Sequence, residues 1–329
     1  EITAISQRPV VHTLVGGLFG THKTSRSQLA AERDWCWGAG TLFQYGAGTP
    51  TSRVVVMSAT PGFTGQFICV DKSGVLIRDT RVIGSPDCGI MFAANGSAIA
   101  GLSVQNCATT DCATHGIFAI GNGFQISGAE VLYCNVVRTG FHGIQYALKV
   151  TGSNITGCFV TDAGLSPLAA ASYQGGYHGI TQYSNNPSFV PDGNVVSLCR
   201  VTRTARCLNG ASTEGNGIQC DDRTTNSVVR DCLSDNNGGG GFVFNSNTNN
   251  TGLRLVSRLN TDNGFAVTGS TTGNAFYHST ATANALAGFF FANNMTVKNC
   301  VSVDNGTTSA VEFDAYNAST ITSDYNCVF

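Results

Sequence analysis

The sequence has few charged residues and no long apolar runs. Charged residues make up 12% of the 329 residues, against ~25% in typical globular domains, which excludes a disordered chain, a coiled coil and a charged helical bundle. The 18 Lys and Arg balance 20 Asp and Glu without forming a basic stripe, so we predict no nucleic-acid partner. No apolar run approaches the ~18–20 residues that cross a bilayer, so we predict no membrane partner.

The sequence also lacks the common motifs of metal and cofactor sites. Its 13 Cys residues include no CxxC pair with a matching zinc-binding partner. The GxGxxG, Walker A, HExxH, GxSxG and calcium-binding nonapeptide motifs are not found in a suitable context. We therefore expect no metal site and no cofactor. Binding of Ca²⁺ stays open, although no motif indicates it.

Cysteine instead recurs in one local context. A β-branched apolar residue stands three places before each of Cys107, Cys134, Cys158, Cys199, Cys232 and Cys300. A free Cys behaves as a small buried hydrophobe. One thiol in each repeat therefore predicts an interior column, not redox chemistry.

A second repeated feature is a Gly followed by Ile or Phe. It occurs at Gly89, Gly116, Gly143, Gly179, Gly217, Gly241, Gly264 and Gly288, with spacings by subtraction of 27, 27, 36, 38, 24, 23 and 24 residues, and Val311 continues the apolar column. Positions one and three after the Gly are mostly apolar, whereas positions two and four are mixed, which indicates a strand with one buried face. Such units bury that face only by stacking on one another. The repeat predicts an all-β parallel β-helix, a solenoid of about ten coils.

These columns resemble those of the pectin-lyase-like superfamily of right-handed, single-stranded parallel β-helices. That superfamily includes polysaccharide lyases, polygalacturonases, alginate epimerases and phage tailspikes. The resemblance covers residues 61–329, and we expect residues 1–60 to form an N-terminal cap with the first irregular coils. It implies a polysaccharide or oligosaccharide partner and a secreted, extracellular or virion-associated location.

Two neighbouring coils carry insertions at the same place. The Cys column and the next Ile column are 10 residues apart in the coils of Cys107 and Cys134, but 22 and 19 residues apart in those of Cys158 and Cys199. Adjacent insertions in a solenoid build a wall beside a binding surface, whereas loop drift is the simpler alternative. We favour a groove beside residues 162–177 and 202–215.

The residue directly before the Gly is His115, His142 and His178 in three consecutive coils, followed by Asn216. Neighbouring strands lie ~4.8 Å apart, so these rings should form a ladder. Strict in–out alternation along the strand would direct these rings inward. A turn before the Gly would direct them outward instead. Since buried imidazoles each need a hydrogen-bond partner, the outward placement is expected. A ladder kept for stacking alone is the competing hypothesis.

The resemblance also locates the groove at this column, because polygalacturonases carry a catalytic Asp directly before the Gly. His and Asn stand there in this chain, which argues against polygalacturonase activity. A polysaccharide lyase acting by β-elimination needs a base, a group that neutralises the uronate carboxylate and an acid. We assign His142 or His178 as the base and Tyr177 as the acid. Arg203 or Arg206, with Asn216, would bind the carboxylate of an acidic polysaccharide. Further sugar contacts are expected from His115, Phe118, Gln145, Thr181, Tyr183 and Gln219.

Two alternatives stay open beside the lyase. A glycoside hydrolase needs two carboxylates ~5–5.5 Å or ~6.5–9.5 Å apart, for which Glu214, Asp221 and Asp222 are the candidates. A non-catalytic fibre, adhesin or tailspike-like glycan-binding protein is the other, and outward apolar residues such as Val243 and Phe290 would then make the contacts of a homo-oligomer such as a trimer. The adjacent insertions favour an enzyme.

Overall fold

The computed structural model describes residues 67–85, 87–166, 177–206, 215–306, 312–314 and 321–328, together with the backbone of six short strands within residues 1–66. Every regular element of these residues is a strand. Within them, therefore, no helix exists that is long and apolar enough to span a membrane.

Three long parallel sheets form the body of the molecule. Sheet 1 contains Phe67–Val70, Ile90–Ala93, Ile99–Ala100, Ile117–Ser127, Ile144–Thr151, Ile180–Tyr183, Ile218–Cys220, Phe242–Asn245, Phe265–Thr268, Phe289–Phe291 and Phe313–Asp314. Sheet 2 contains Leu76–Arg78, Ser103–Gln105, Glu130–Leu132, Asn154–Thr156, Val195–Ser197, Val228–Arg230, Thr251–Leu253, Asn274–Tyr277, Met295–Lys298 and Ile321–Asp324. Sheet 3 contains Arg81–Ile83, Ala108–Cys112, Asn135–Thr139, Phe159–Ala163, Arg200–Thr202, Leu233–Asp235, Val256–Arg258, Thr280–Thr282, Val301–Val303 and Cys327–Val328.

Two small antiparallel sheets precede the parallel stack. One contains Ile2–Thr3, Trp35–Gly38 and Thr41–Gln44, and the other contains Val11–Val15, Leu18–Phe19 and Val55–Ser58. Parallel pairing begins with the strand that starts at Phe67. The cap expected at residues 1–60 stays a prediction.

Pairing in sheet 1 follows the Ile and Phe column read from the sequence. Ile90 pairs with Ile117, and the same register leads through Ile144, Ile180, Ile218, Phe242 and Phe265 to Phe289. All of these side chains are buried in the interior. The predicted parallel β-helix is confirmed, with about nine turns.

The last coil departs from the predicted register by two residues. Phe313 pairs with Phe289, whereas the sequence pattern placed Val311 at that point. Val311 itself lies outside the described residues. Glu312 takes the place of the Gly. Its carbonyl oxygen accepts the backbone N–H of Phe289, just as the carbonyl oxygen of Gly288 accepts the backbone N–H of Phe265. Its carboxylate accepts hydrogen bonds from the side chains of Ser302 and Asn305, which fixes this register.

The recurring Gly marks a break in the in–out alternation of sheet 1. A Cβ atom on Gly143 would point inward, against Val160 and 2.5 Å from the carbonyl oxygen of Gly179. The next residue, Ile144, is also buried inside. Two successive residues therefore face the interior. The residue before the Gly is directed outward, and the Gly is required because no side chain fits between the coils.

The cysteine column lies in the interior, as predicted. Cys107, Cys134, Cys158, Cys199, Cys232 and Cys300 are buried and free. The Cys134 thiol donates to the carbonyl oxygens of Leu132, at 3.3 Å, and of Val104 in the preceding coil, at 3.6 Å. Burial raises the pKa of Cys300 to about 11, so its thiol stays protonated. These thiols fill space in the interior.

The later coils add a second interior column, an asparagine ladder of Asn237, Asn260, Asn284 and Asn305. The Oδ1 atom of each Asn after the first accepts the backbone N–H and the side-chain Nδ2–H of the Asn one coil earlier, at 2.8–3.2 Å. All four side chains are buried. The ladder therefore satisfies the polar groups of this corner without water.

Candidate functional site

His115, His142 and His178 form a column of adjacent rings, the His ladder, on the outer side of sheet 1. The ring centroids of His142 and His178 lie 5.0 Å apart with an interplanar angle of 11°, and those of His115 and His142 lie 5.4 Å apart. His115 also stacks at 4.4 Å on Phe118, which occupies an outward position of its strand. The predicted ladder thus exists, directed away from the core.

The His ladder is nevertheless closed to solvent. The relative exposures of His115, His142 and His178 are 7%, 5% and 3%. Desolvation lowers the pKa of His115 to about 4 and that of His178 to about 3, and it holds the pKa of His142 well below its usual value, with a further contribution from the two neighbouring rings. All three imidazoles are neutral at pH 7.

The orientation of the His142 ring is set by a backbone hydrogen bond. The N–H of His178 donates to His142 Nδ1 at 3.1 Å, so the proton of the neutral ring resides on Nε2. Phe141 packs on the same ring, with a centroid distance of 3.9 Å, and also meets Tyr177 edge-on at 6.0 Å. Tyr177, the expected acid, therefore joins the aromatic cluster that surrounds the ladder.

Other residues expected to contact sugar lie in register beside the ladder. Phe118 pairs with Gln145, Gln145 with Thr181, and Thr181 with Gln219. Gln145, Thr181 and Gln219 are buried, while Phe118 is partly exposed. Tyr183 ends the strand of Thr181 and is partly exposed. The outer face of these coils is thus closed along most of its length.

The charged candidates are dispersed. Arg203 donates two hydrogen bonds of 2.8 Å to the Asp162 carboxylate, which lowers the pKa of that carboxyl group. Arg206 is exposed, and Glu214 lies outside the described residues. Desolvation and the neighbouring Asp221 raise the pKa of Asp222.

An open cleft lies on the same outer face, in the coils that follow the His ladder. Its volume is about 170 Å³. Asn216 and Gln219 form one end and Phe290 forms the other, and Val243 and Ala266 line it between them. Of the predicted site residues that the structure describes, Asn216 and Gln219 alone line this cleft.

Polar side chains flank the apolar residues of the cleft on both sides. On one side, Asp262 Oδ1 accepts the backbone and side-chain N–H groups of Asn263, both at 2.8 Å. On the other, Asn245 Nδ2 donates to Asp221 at 2.7 Å, and Thr268 Oγ1 donates to Asn245 Oδ1 at 3.0 Å. Asp221, a hydrolase candidate, thus reaches the cleft through Asn245.

The end of the cleft nearest the ladder is fixed by two hydrogen bonds of the Asn216 side chain. Asn216 Oδ1 accepts the N–H of Gly240 at 2.7 Å, and Asn216 Nδ2 donates to Gln219 Oε1 at 2.5 Å. Gly240 takes the position in its coil that His142 and His178 take in theirs. No ring therefore occupies this position, and Gly240 lines the cleft instead.

Comparisons with known proteins concern the architecture. No protein-family model matches the sequence, and no curated protein is significantly similar to it. The enzymatically active domain of tailspike protein 2 from bacteriophage CBA120 matches with a TM-score of 0.50 at 12% identity, over 79% of this chain and 43% of that one. PfbA, a surface adhesin of Streptococcus pneumoniae, matches with a TM-score of 0.50 at 10% identity, over 77% of this chain and 75% of the adhesin. This chain has the pectin-lyase-like β-helix fold. The periplasmic alginate epimerase AlgG is also similar, with a TM-score of 0.48 and 12% identity over 84% of this chain and 85% of the epimerase.

Sequence reasoning missed the main polar residues of the cleft in this parallel β-helix. Asn263 stands directly before Gly264, in the column that carries His in the earlier coils, Asp262 stands one place before Asn263, and Thr268 stands four places after Gly264. The signal was present as the change from His to Asn and Gly along that column. In the described part of the chain, no group of three His, Cys, Asp or Glu side chains is arranged to hold a metal ion.

Proposed function

We propose that this chain binds a polysaccharide, with a sugar of the polymer seated in the cleft between Asn216 and Phe290. The observation that carries this proposal is the composition of the cleft. Val243, Ala266 and Phe290 offer apolar surface to a sugar ring, while Asn245 and Thr268 offer donors and acceptors to its hydroxyl groups.

The dimensions of the cleft suit one unit of a longer ligand. Its volume of about 170 Å³ is below the ~300–1,000 Å³ of sites that enclose a drug-sized molecule. Because the cleft follows the coils of an extended sheet, a polymer can continue past it along the outer surface. A chain of sugars bound at several points gains affinity that one shallow site does not supply.

Catalysis stays a prediction, in both the lyase and the hydrolase form. The lyase needs an accessible base, and the His ladder offers neutral, buried rings, one of which already accepts a backbone N–H. The hydrolase needs a protonated carboxylic acid, and the raised pKa of Asp222 favours that role. Oligomeric state and an extracellular or virion-associated location also stay predictions.

A glycan array followed by titration calorimetry tests the proposal. Ala266→Leu fills the cleft and should weaken binding of the selected glycan at least tenfold, about 1.4 kcal/mol. Phe124→Ala is the matched control, because Phe124 is 40% exposed and lies in a different coil, and it should leave affinity unchanged. Undiminished binding to a folded Ala266→Leu protein would refute the cleft.

The same preparations distinguish binding from turnover. Incubation with each bound polymer is followed by ultraviolet absorbance for an unsaturated product and by a reducing-end assay. Absorbance growing with the reducing ends would support the lyase, and reducing ends alone would support the hydrolase. Binding without either product identifies a glycan-binding protein.

A further inference from the structure

The charge of the cleft bears on the class of polysaccharide that it accepts. Asp262 is the one ionisable residue among those that line it, and no Lys, Arg or His of the described residues does so. The sugar therefore meets a negative charge without a compensating cation. A polyuronate carries a carboxylate on each sugar and would place a like charge beside Asp262.

Two arginines of these coils are paired with carboxylates. Arg254 pairs with Asp231 at 2.6 Å, and Arg258 pairs with Asp235 at 3.1 Å. Both arginines lie at sheets 2 and 3, on other sides of the β-helix. They do not neutralise a ligand bound on the outer face of sheet 1.

The polar groups of the cleft match hydroxyl groups. Asp262 Oδ1 already accepts two N–H groups of Asn263, whereas no hydrogen bond from the described residues reaches Oδ2. A carboxylate oxygen accepts only, so it requires a donor such as a sugar hydroxyl. The Nδ2 groups of Asn245 and Asn263 each carry two protons and use one in the bonds described above, which leaves one to donate.

We infer that the cleft binds an uncharged polysaccharide, a polymer of neutral hexoses or their neutral derivatives, and rejects polyuronates. This inference rests on the proposed function, because it names the ligand of the same cleft. It replaces the acidic polymer expected from the sequence. The Asp262 carboxylate both accepts a hydroxyl of the neutral sugar and excludes the acidic one.

The test compares neutral glucans, mannans and galactans with alginate and polygalacturonate of matched length, at low ionic strength. The wild-type chain should bind at least one neutral polymer about tenfold or more tightly than either polyuronate. Asp262→Asn keeps the shape, removes the charge and should reduce that preference about tenfold by strengthening polyuronate binding. Asp304→Asn, an exposed change outside the cleft, should leave the preference unchanged.

The outcomes separate the two proposals. Tighter binding of a polyuronate by the wild type, abolished by Ala266→Leu, would overturn the neutral-ligand inference and leave the glycan-binding cleft intact. A preference unaltered by Asp262→Asn would also overturn the inference. Failure of the wild type to bind any of these polymers, neutral or acidic, would overturn both.

Discussion

The earlier and later coils use the same backbone register with different chemistry. On the outer face of sheet 1, the residue directly before the Gly belongs to the His ladder in the earlier coils. In the later coils it is Asn216, Gly240 or Asn263. Aromatic and imidazole rings close the surface in the first region, and small residues leave it open in the second. A constant fold therefore creates a cleft through the size of the side chains in one column.

The interior changes at the same coil as the surface. The column in sheet 3 that packs near the Gly carries Val136, Val160 and Val201, and then Ser234 and Ser257. Ser234 and Ser257 donate to backbone carbonyl oxygens and contact the asparagine ladder, which begins in the later coils. At this corner, the earlier coils are thus held by apolar packing and the later coils by buried hydrogen bonds, while stacked Phe242, Phe265 and Phe289 continue the apolar interior of the later coils.

The largest expected effect that separates the two regions is acid destabilisation of the earlier coils. The pKa of His115 is lowered to about 4 and that of His178 to about 3, so below about pH 6.5 the unfolded chain binds protons that the folded chain does not. As the pH is lowered, the free energy of unfolding should decrease by about 1.4 kcal/mol per pH unit for each ring, or about 4 kcal/mol per pH unit for three rings. Above about pH 7 the three rings should contribute no pH dependence. Urea unfolding across this range measures the slope.

Two substitutions sharpen the acid experiment. His142→Gln keeps an acceptor for the His178 N–H and should remove about one third of the slope. His278→Gln is the control, because His278 is exposed and lies outside the ladder. An unchanged slope in the His142→Gln protein would contradict the assignment of the effect to the ladder.

The next effect concerns the later coils, where Asn260→Ala should destabilise the protein by about 2–6 kcal/mol. The change leaves the buried N–H groups of Asn237 without their acceptor, at about 1–3 kcal/mol for each unsatisfied group. Thermal or urea unfolding measures the loss. Asn185→Ala at an exposed site should stay within about 0.5 kcal/mol. A loss for Asn260→Ala as small as that of the control would show that the ladder is not a main source of stability.

Two Thr→Val substitutions, one in each region, should have smaller effects on stability, and these effects should be of opposite sign. The buried Thr181 hydroxyl of the closed face has no hydrogen-bond partner in the described part of the chain, so Thr181→Val should raise stability by about 1 kcal/mol. Thr224 donates to the Asp221 carbonyl oxygen at 2.7 Å, so Thr224→Val should lower stability by about 1 kcal/mol. Equal effects of the two changes in unfolding experiments would contradict the hydrogen-bond assignment.

The smallest effect is expected for Arg203→Gln. Its pair with Asp162 is exposed on the arginine side, and such surface pairs contribute about 0–1 kcal/mol. The proposed ligand contacts lie only in the later coils, so glycan affinity should also be unchanged. Calorimetry that shows a tenfold weaker complex would instead extend the binding surface to Arg203.

The sequence predicted the stacking register well because a shift of one residue would reverse the buried and exposed faces of every strand. It failed in the last coil, where Glu312 replaces the Gly and hydrogen bonds hold it in place. The position of the His ladder was also predictable. Its closure was not, because it results from packing with Phe118 and Phe141, which come from different coils. The cleft depends on small residues such as Gly240 and Ala266 and on how their neighbours pack, which a pattern search does not measure.

The strictly neighbour-to-neighbour pairing of the coils has a consequence for how such a protein can change during evolution. In the three parallel sheets, each described strand pairs only with strands of the preceding and following coils. Duplication or loss of a whole coil, such as the 24 residues from Gly217 to Gly240, preserves every other register. The length of the binding surface can therefore grow or shrink in increments of about 4.8 Å while the fold is conserved.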